Sequence, residues 1–158
     1  MRSLLGWFLF VFAGLFSLSA ADVEFVRVWP AWRTAESFER ISEYFTGKED
    51  HGREVVLRTQ PEQRAGFYFL ARVANSGVVI PGAKFVLSLI MPSSPLPQIT
   101  TFPVEVANRS RVFHLGLTGA DWPGPEVHPV AWNLELVSLD GSVLSSAHSF
   151  LWAKPMAK

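Results

Sequence analysis

From Asp22 onward the chain is written in short runs of alternating apolar and polar residues, separated by glycine, proline and asparagine. That period of two is the mark of strands with one face turned to a core. The clearest case is Val130 to Trp152, two alternating runs joined through Asp140-Gly141. A two-residue turn there would pair Leu136 with Ser145 and Leu134 with Ala147, sending Phe150 and Trp152 to solvent. A three-residue loop Leu139-Asp140-Gly141, with Gly141 in the left-handed region, would pair Leu136 with Leu144, Trp132 with His148 and Val130 with Phe150. A slip of one residue exchanges the faces, so burial favours the second register: a core face of Val130, Trp132, Leu134, Leu136, Leu144, Phe150 and Trp152, with His148 half-buried beside Trp132.

The rest of the chain reads in the same way. Asp22 to Trp29 is an edge strand closed by Pro30. Glu54 to Thr59 points Val55 and Leu57 inward, and Gly66 to Asn75 points Phe67, Phe69, Ala71 and Val73 inward. Lys84 to Met91 is apolar at nearly every position, as a central strand covered on both faces would be. Pro92 to Pro97 is a proline-rich connection unsuited to a ladder. Gln98 to Val106 buries Phe102, Val104 and Val106, with Pro103 placing it at an edge. Arg111 to Leu117 buries Phe113, Leu115 and Leu117 and turns His114 outward.

One stretch has a different period. Thr34 to Phe45 carries Phe38, Ile41 and Phe45 at helical spacing, with Thr34 as N-cap, Glu36 in the first turn and Gly47 to end it. Glu36, Glu39, Arg40 and Glu43 fall on its polar side, read as a solvated helix face rather than an acid-base cluster. Tyr68 and Leu70, on the outer side of their strand, call for cover, and this helix can supply it. These elements predict a mainly β fold: an antiparallel two-sheet sandwich, immunoglobulin-like or a related Greek key, of about eight strands with one inserted α-helix near 34–46. The cysteine and tryptophan spacing of antibody domains is missing, so the likeness is architectural.

Residues 1–21 have the organisation of a signal peptide: basic Arg2, the apolar run Leu4 to Leu18, then Ser19-Ala20-Ala21. A retained anchor is the alternative reading of that run. Cleavage after Ala21 leaves residues 22–158 as a single domain with no membrane span. The 14 basic and 14 acidic side chains balance, and loss of Arg2 makes the domain slightly acidic, so there is no basic field for nucleic acid. An exported chain with no cysteine forgoes disulfides, which suits a periplasmic or secreted bacterial protein.

Candidate chemistry is sparse. His51, His114, His128 and His148 show none of the paired spacings of a metal site, and Ser145, Ser146 and Ser149 lack a nucleophile turn. No metal, cofactor or catalytic residue is assigned. Trp32 and Trp122, each near a proline in an expected loop, could stack on a sugar or anchor a protein if exposed, and would plug the sandwich ends if buried. Tyr68 and His128 join them as contact candidates. Arg58 and Arg64 could clamp an acidic ligand, with pairing to Glu54 or Glu62 the favoured alternative. The leading expectation is an exported, non-catalytic module acting through protein contacts in the bacterial envelope, by a sheet edge or by the connection Thr118 to Pro129. A carbohydrate-binding module and a hydrolase built from scattered His and Glu are the alternatives.

Overall fold

A computed structural model describes residues 22–153. The expected leader and most of the C-terminal tail lie outside the described residues. Eight strands form two four-stranded sheets: β1 (Val23–Arg33), β3 (Gly66–Asn75), β6 (Arg111–Thr118) and β2 (Val55–Arg58) in that spatial order, and β5 (Ser94–Val106), β4 (Ile80–Met91), β7 (Ala131–Val137) and β8 (Val143–His148) in the other. The chain passes between sheets after β3, β5 and β6, while β4-β5 and β7-β8 are hairpins. This wiring makes a two-sheet β-sandwich, antiparallel in every pairing except that of β2 with β6.

The core lies between the inner faces. Phe85 of β4 meets Phe113 of β6 with ring centroids 5.1 Å apart, and Phe69 of β3 meets Trp132 of β7 at 5.6 Å, so aromatic rings from opposite sheets interdigitate. Val55, Leu57, Phe67, Phe69, Ala71, Val73, Phe102, Val104, Val106, Phe113, Leu115 and Leu117 all pack in this core, on the faces that their alternation predicts.

Two elements extend past prolines expected to stop them. β1 runs through Pro30 to Arg33, β5 begins at Ser94 and contains Pro95 and Pro97 as well as Pro103, and both are edge strands. An edge strand has one side without a ladder, where a residue lacking N–H is tolerated. β4 is central in its sheet, yet its outer face, carrying Val86, Ser88 and Ile90, is only half-buried.

The β7-β8 hairpin combines both expected registers. Gly141 has φ +89° and its N–H donates to Ser138 O, while Val137 pairs with Val143, as the three-residue loop requires. Leu144 is then an extra residue in β8, and from Leu136↔Ser145 onward the pairing is that of the two-residue turn. One bulge cancels the other. Leu144 stays against the core, but Phe150 and His148 are exposed, Val130 is largely exposed and Trp152 is half-buried. The expected core face is therefore corrected at these positions. The reason is the neighbour: β1 closes this side of the sandwich, where Phe25 N–H donates to Ser145 Oγ at 3.1 Å. Ser145 and Ala147 are small enough to admit it.

The helical segment is also shorter than its periodicity suggests. Ala35–Phe38 is a 3-10 turn, Glu39 and Arg40 are extended, and only Ile41–Thr46 is α-helical, here α1, ended by Gly47 at φ +65°. Thr34 makes no side-chain cap. The interruption follows from topology. β1 and β2 are opposite edges of one sheet, and β2 runs parallel to β6, so residues 34–54 must cross the outer face of β3 and β6. Phe38 is directed onto that face, and α1 rides above it.

Candidate functional site

The crossover and the sheet beneath it gather most of the interacting ionisable groups among the described residues. Tyr68 and Gly116 are opposite each other on β3 and β6, both outward, and a Cβ on Gly116 would come within 2.3 Å of the Tyr68 ring. The glycine gives the ring its floor. Phe38 covers it from above at 4.7 Å and also sets its edge toward His114, centroids 6.0 Å apart. Tyr68 is fully buried although it points away from the sandwich core.

A polar network surrounds these rings. Arg58, at the end of β2, donates from Nε to the Tyr68 hydroxyl at 2.8 Å and from both terminal nitrogens to Glu49, at 2.9 and 2.5 Å, while lying 5.0 Å over the Phe38 ring. The Tyr68 hydroxyl in turn donates a hydrogen bond to Arg64 O at 2.7 Å, and Arg64 Nη1 donates to Glu43 at 2.8 Å. Glu43 also accepts from the Asp50 N–H, and Asp50 accepts from Ser42 Oγ at 2.6 Å, which ties α1 to the loop that follows it. The Arg58 hydrogen bonds hold the Glu49 carboxyl below its ordinary range. Burial pushes the Tyr68 phenol up.

Arg58, Arg64 and Tyr68 are thus brought together, with acidic partners other than those expected: Glu49 and Glu43 rather than Glu54 or Glu62. Glu43 is not on a solvated helix face but bound to Arg64. Trp32, Trp122 and His128 assemble elsewhere, around Phe67 at one end of the sandwich. Trp32 lies within β1 opposite Phe67, half-buried against the core, not in a loop. Trp122 is 5% exposed, its ring stacked 4.4 Å from Phe67 and its Nε1–H donated to Gly124 O, and His128 meets the same ring edge-on while remaining exposed. The tryptophans plug the sandwich end.

Beside the Tyr68 network, a cleft of 360 Å³ opens between crossover and sheet. Its floor includes His114, Leu70 and Val56, and its sides include Arg33, Glu54 and Phe38. His114 is 7% exposed, and neither imidazole nitrogen has a hydrogen-bond partner. Nε2 lies 3.1 Å from Glu54 Oε2, close enough for an ion pair but not aligned as a hydrogen bond. Burial holds the imidazole pKa below its ordinary 6.5, and Glu54 only partly opposes this. The sequence placed His114 on the outer side of β6 correctly but could not show that this side is roofed. Arg33 Nε is likewise buried and unpaired.

Chemically, His114 and Glu54 could hold a proton between them. No hydroxyl of the described residues is hydrogen-bonded to His114, so no nucleophile is in place for it to activate. Among the described residues no group of three or more His, Asp or Glu side chains is placed to hold a metal ion, and no helix is long and apolar enough to cross a membrane.

Sequence reasoning missed one feature on the crossover. Ile41, Tyr44 and Phe45 are 83, 94 and 84% exposed on one side of α1, where periodicity had placed Ile41 and Phe45 in a buried face. They border a depression edged by Glu36 and Glu39. No protein-family model matches the chain, and no curated protein is matched by its sequence.

Proposed function

We propose that this is an exported, non-catalytic β-sandwich module of the bacterial envelope that works by docking a protein partner on α1. The observation that carries this reading is the exposure of Ile41, Tyr44 and Phe45. Three large apolar side chains at i, i+3 and i+4 on a fixed helix face are costly in water unless they are used. Tyr44 and Phe45 also have the aromatic character of interface anchors.

Glu36 and Glu39 stand exposed at the edge of this patch, and Arg40, exposed on the same rim, is partly engaged with Nη2 donating to His51 O and 3.7 Å from Glu54, which leaves the rim acidic on balance. The rim is acidic, so the partner surface that fits is an apolar recess bordered by lysine or arginine. Support is weaker for the Thr118 to Pro129 connection as the contact, because Trp122 is spent on Phe67. The same burial takes Trp122 out of use as a platform for carbohydrate stacking.

The reading is tested by capture from the native envelope with the mature domain as bait, against a Tyr44→Ser/Phe45→Ser form and an Ile99→Ser control. A partner retained by the control and lost by the double variant, weakened by Glu36→Lys/Glu39→Lys, is the expected result. Equal recovery by all four baits would overturn it.

A further inference from the structure

The cleft under the crossover has a chemistry that the docking reading does not use. His114 is more than nine-tenths buried at its floor, its Nδ1 without a partner and its Nε2 facing only the Glu54 carboxylate at 3.1 Å. Buried polar atoms in folded proteins are nearly always hydrogen-bonded, because a group taken out of water without a partner keeps its full desolvation cost. Arg33, at the end of β1, presents a second unpaired buried donor in Nε–H. No ion pair or hydrogen bond to an acidic residue involves Arg33 among the described residues, although its charge is near enough to His114 to disfavour a proton there.

The acids around the cleft are largely committed. Glu54 is shared between His114 and Arg40, and Asp50 accepts from Ser42 Oγ and the Gly52 N–H. Glu39 is exposed at the outer wall. What remains unmatched at the bottom is the Arg33 Nε–H and the Nδ1 edge of the imidazole, with Phe38, Leu70 and Val56 supplying apolar wall beside them. A small number of convergent polar groups in a largely preformed recess of a few hundred Å³ is the usual form of a small-ligand site.

We propose that the cleft binds a compact oxyanion, a carboxylate or a phosphate monoester, whose oxygens accept from Arg33 Nε–H and from a ring N–H of His114. An apolar body attached to the oxyanion lies against Phe38 and Leu70. With the anion in place, His114 can carry a second proton, one N–H toward the ligand and the other toward Glu54, so binding takes up a proton. The charged groups that face it set this balance: Arg33 from β1, Arg40 and Glu39 from the crossover, Asp50, His51 and Glu54 from the loop before β2. Affinity therefore rises as the pH falls from about 8 to about 6. This inference stands independently of docking at α1.

The test follows the histidine side chains by long-range 1H–15N NMR in the mature domain, with benzoate, acetate and phenyl phosphate as probes and benzamide as the neutral control. The expected result is a saturable shift of the His114 ring by benzoate or phenyl phosphate and none by benzamide. Acetate responding as strongly as benzoate would mean that the apolar wall contributes nothing. Binding should weaken at least about tenfold in Arg33→Gln, and several-fold between pH 6 and pH 8. If Arg33→Gln does not fold, His114→Asn read by calorimetry serves the same comparison. Absence of saturation by every anion at about 10 mM, or equal affinity in the folded Arg33 variant, would overturn the proposal.

Discussion

Gly116 and Tyr68 illustrate how one residue position controls the outer face. The tyrosine ring lies flat over the glycine and under Phe38, and it is fully buried, so a methyl group at 116 has no space except by moving the ring. Gly116→Ala is expected to lower stability by about 1–3 kcal/mol in denaturant titration, with reduced near-ultraviolet dichroism from the displaced tyrosine. Arg58 is the second critical side chain, only 5% exposed with its charge matched by Glu49. Glu49→Ala strands that charge, and a loss of about 3 kcal/mol is expected, less of it recovered by Glu49→Gln than by removing both partners. A midpoint unchanged by Glu49→Ala would contradict the burial of this pair.

His114 supplies a pH dependence whose sign is determined by burial. Its folded pKa lies below the ordinary 6.5, so between the two values the unfolded chain binds the extra proton and stability falls as the pH drops below about 6.5. Glu49 and Asp50 are held below their ordinary values by Arg58 and by Ser42, so their contribution is present above those values and is lost on further acidification, below about pH 4.5. Thermal unfolding of the wild-type domain should therefore weaken in two stages. His114→Asn is expected to flatten the stage between pH 7 and pH 5 and leave the lower one intact.

At the scale of elements, the crossover and the β7-β8 hairpin depart most from their sequence patterns. Phe38, Ile41 and Phe45 have correct helical spacing, but a continuous helix would have to keep all three against one surface while the chain crosses from one sheet edge to the other. The break at Glu39-Arg40 lets Phe38 reach Tyr68 and turns Ile41, Tyr44 and Phe45 outward. Tyr44→Ser/Phe45→Ser is accordingly expected to leave the unfolding midpoint within about 2 °C of wild type, because exposed side chains contribute little to the fold. In the hairpin, Ser145 faces β1 across a hydrogen bond. Ser145→Leu, which the fully bulged register would have tolerated on its outer face, is expected to cost about 1–3 kcal/mol by crowding β1.

For the whole molecule, alternation identified the inner faces of β2, β3, β5 and β6 and the sandwich itself, since a period of two already encodes which side chains share a face. It also marked Arg58 and Arg64 as a pair flanking one turn, but not that Tyr68 joins them. It did not reveal the parallel pairing of β2 with β6, which makes residues 34–54 a roof over the outer face rather than a loop. Nor did it find Arg33 and His114 as neighbours, because they lie on β1 and β6 with β3 between them.

The sequence by itself determined the two-sheet architecture, the inner faces of β2, β3, β5 and β6 and the turn at Gly141, all of which rest on near-neighbour patterns and local backbone preference. Tertiary structure decided which outward residues are hidden, which acid meets each arginine, and where the second bulge restores the hairpin register. Those outcomes depend on contacts between segments far apart in the chain. There, differences of a few kcal/mol between alternative packings select the result, and no local pattern records them.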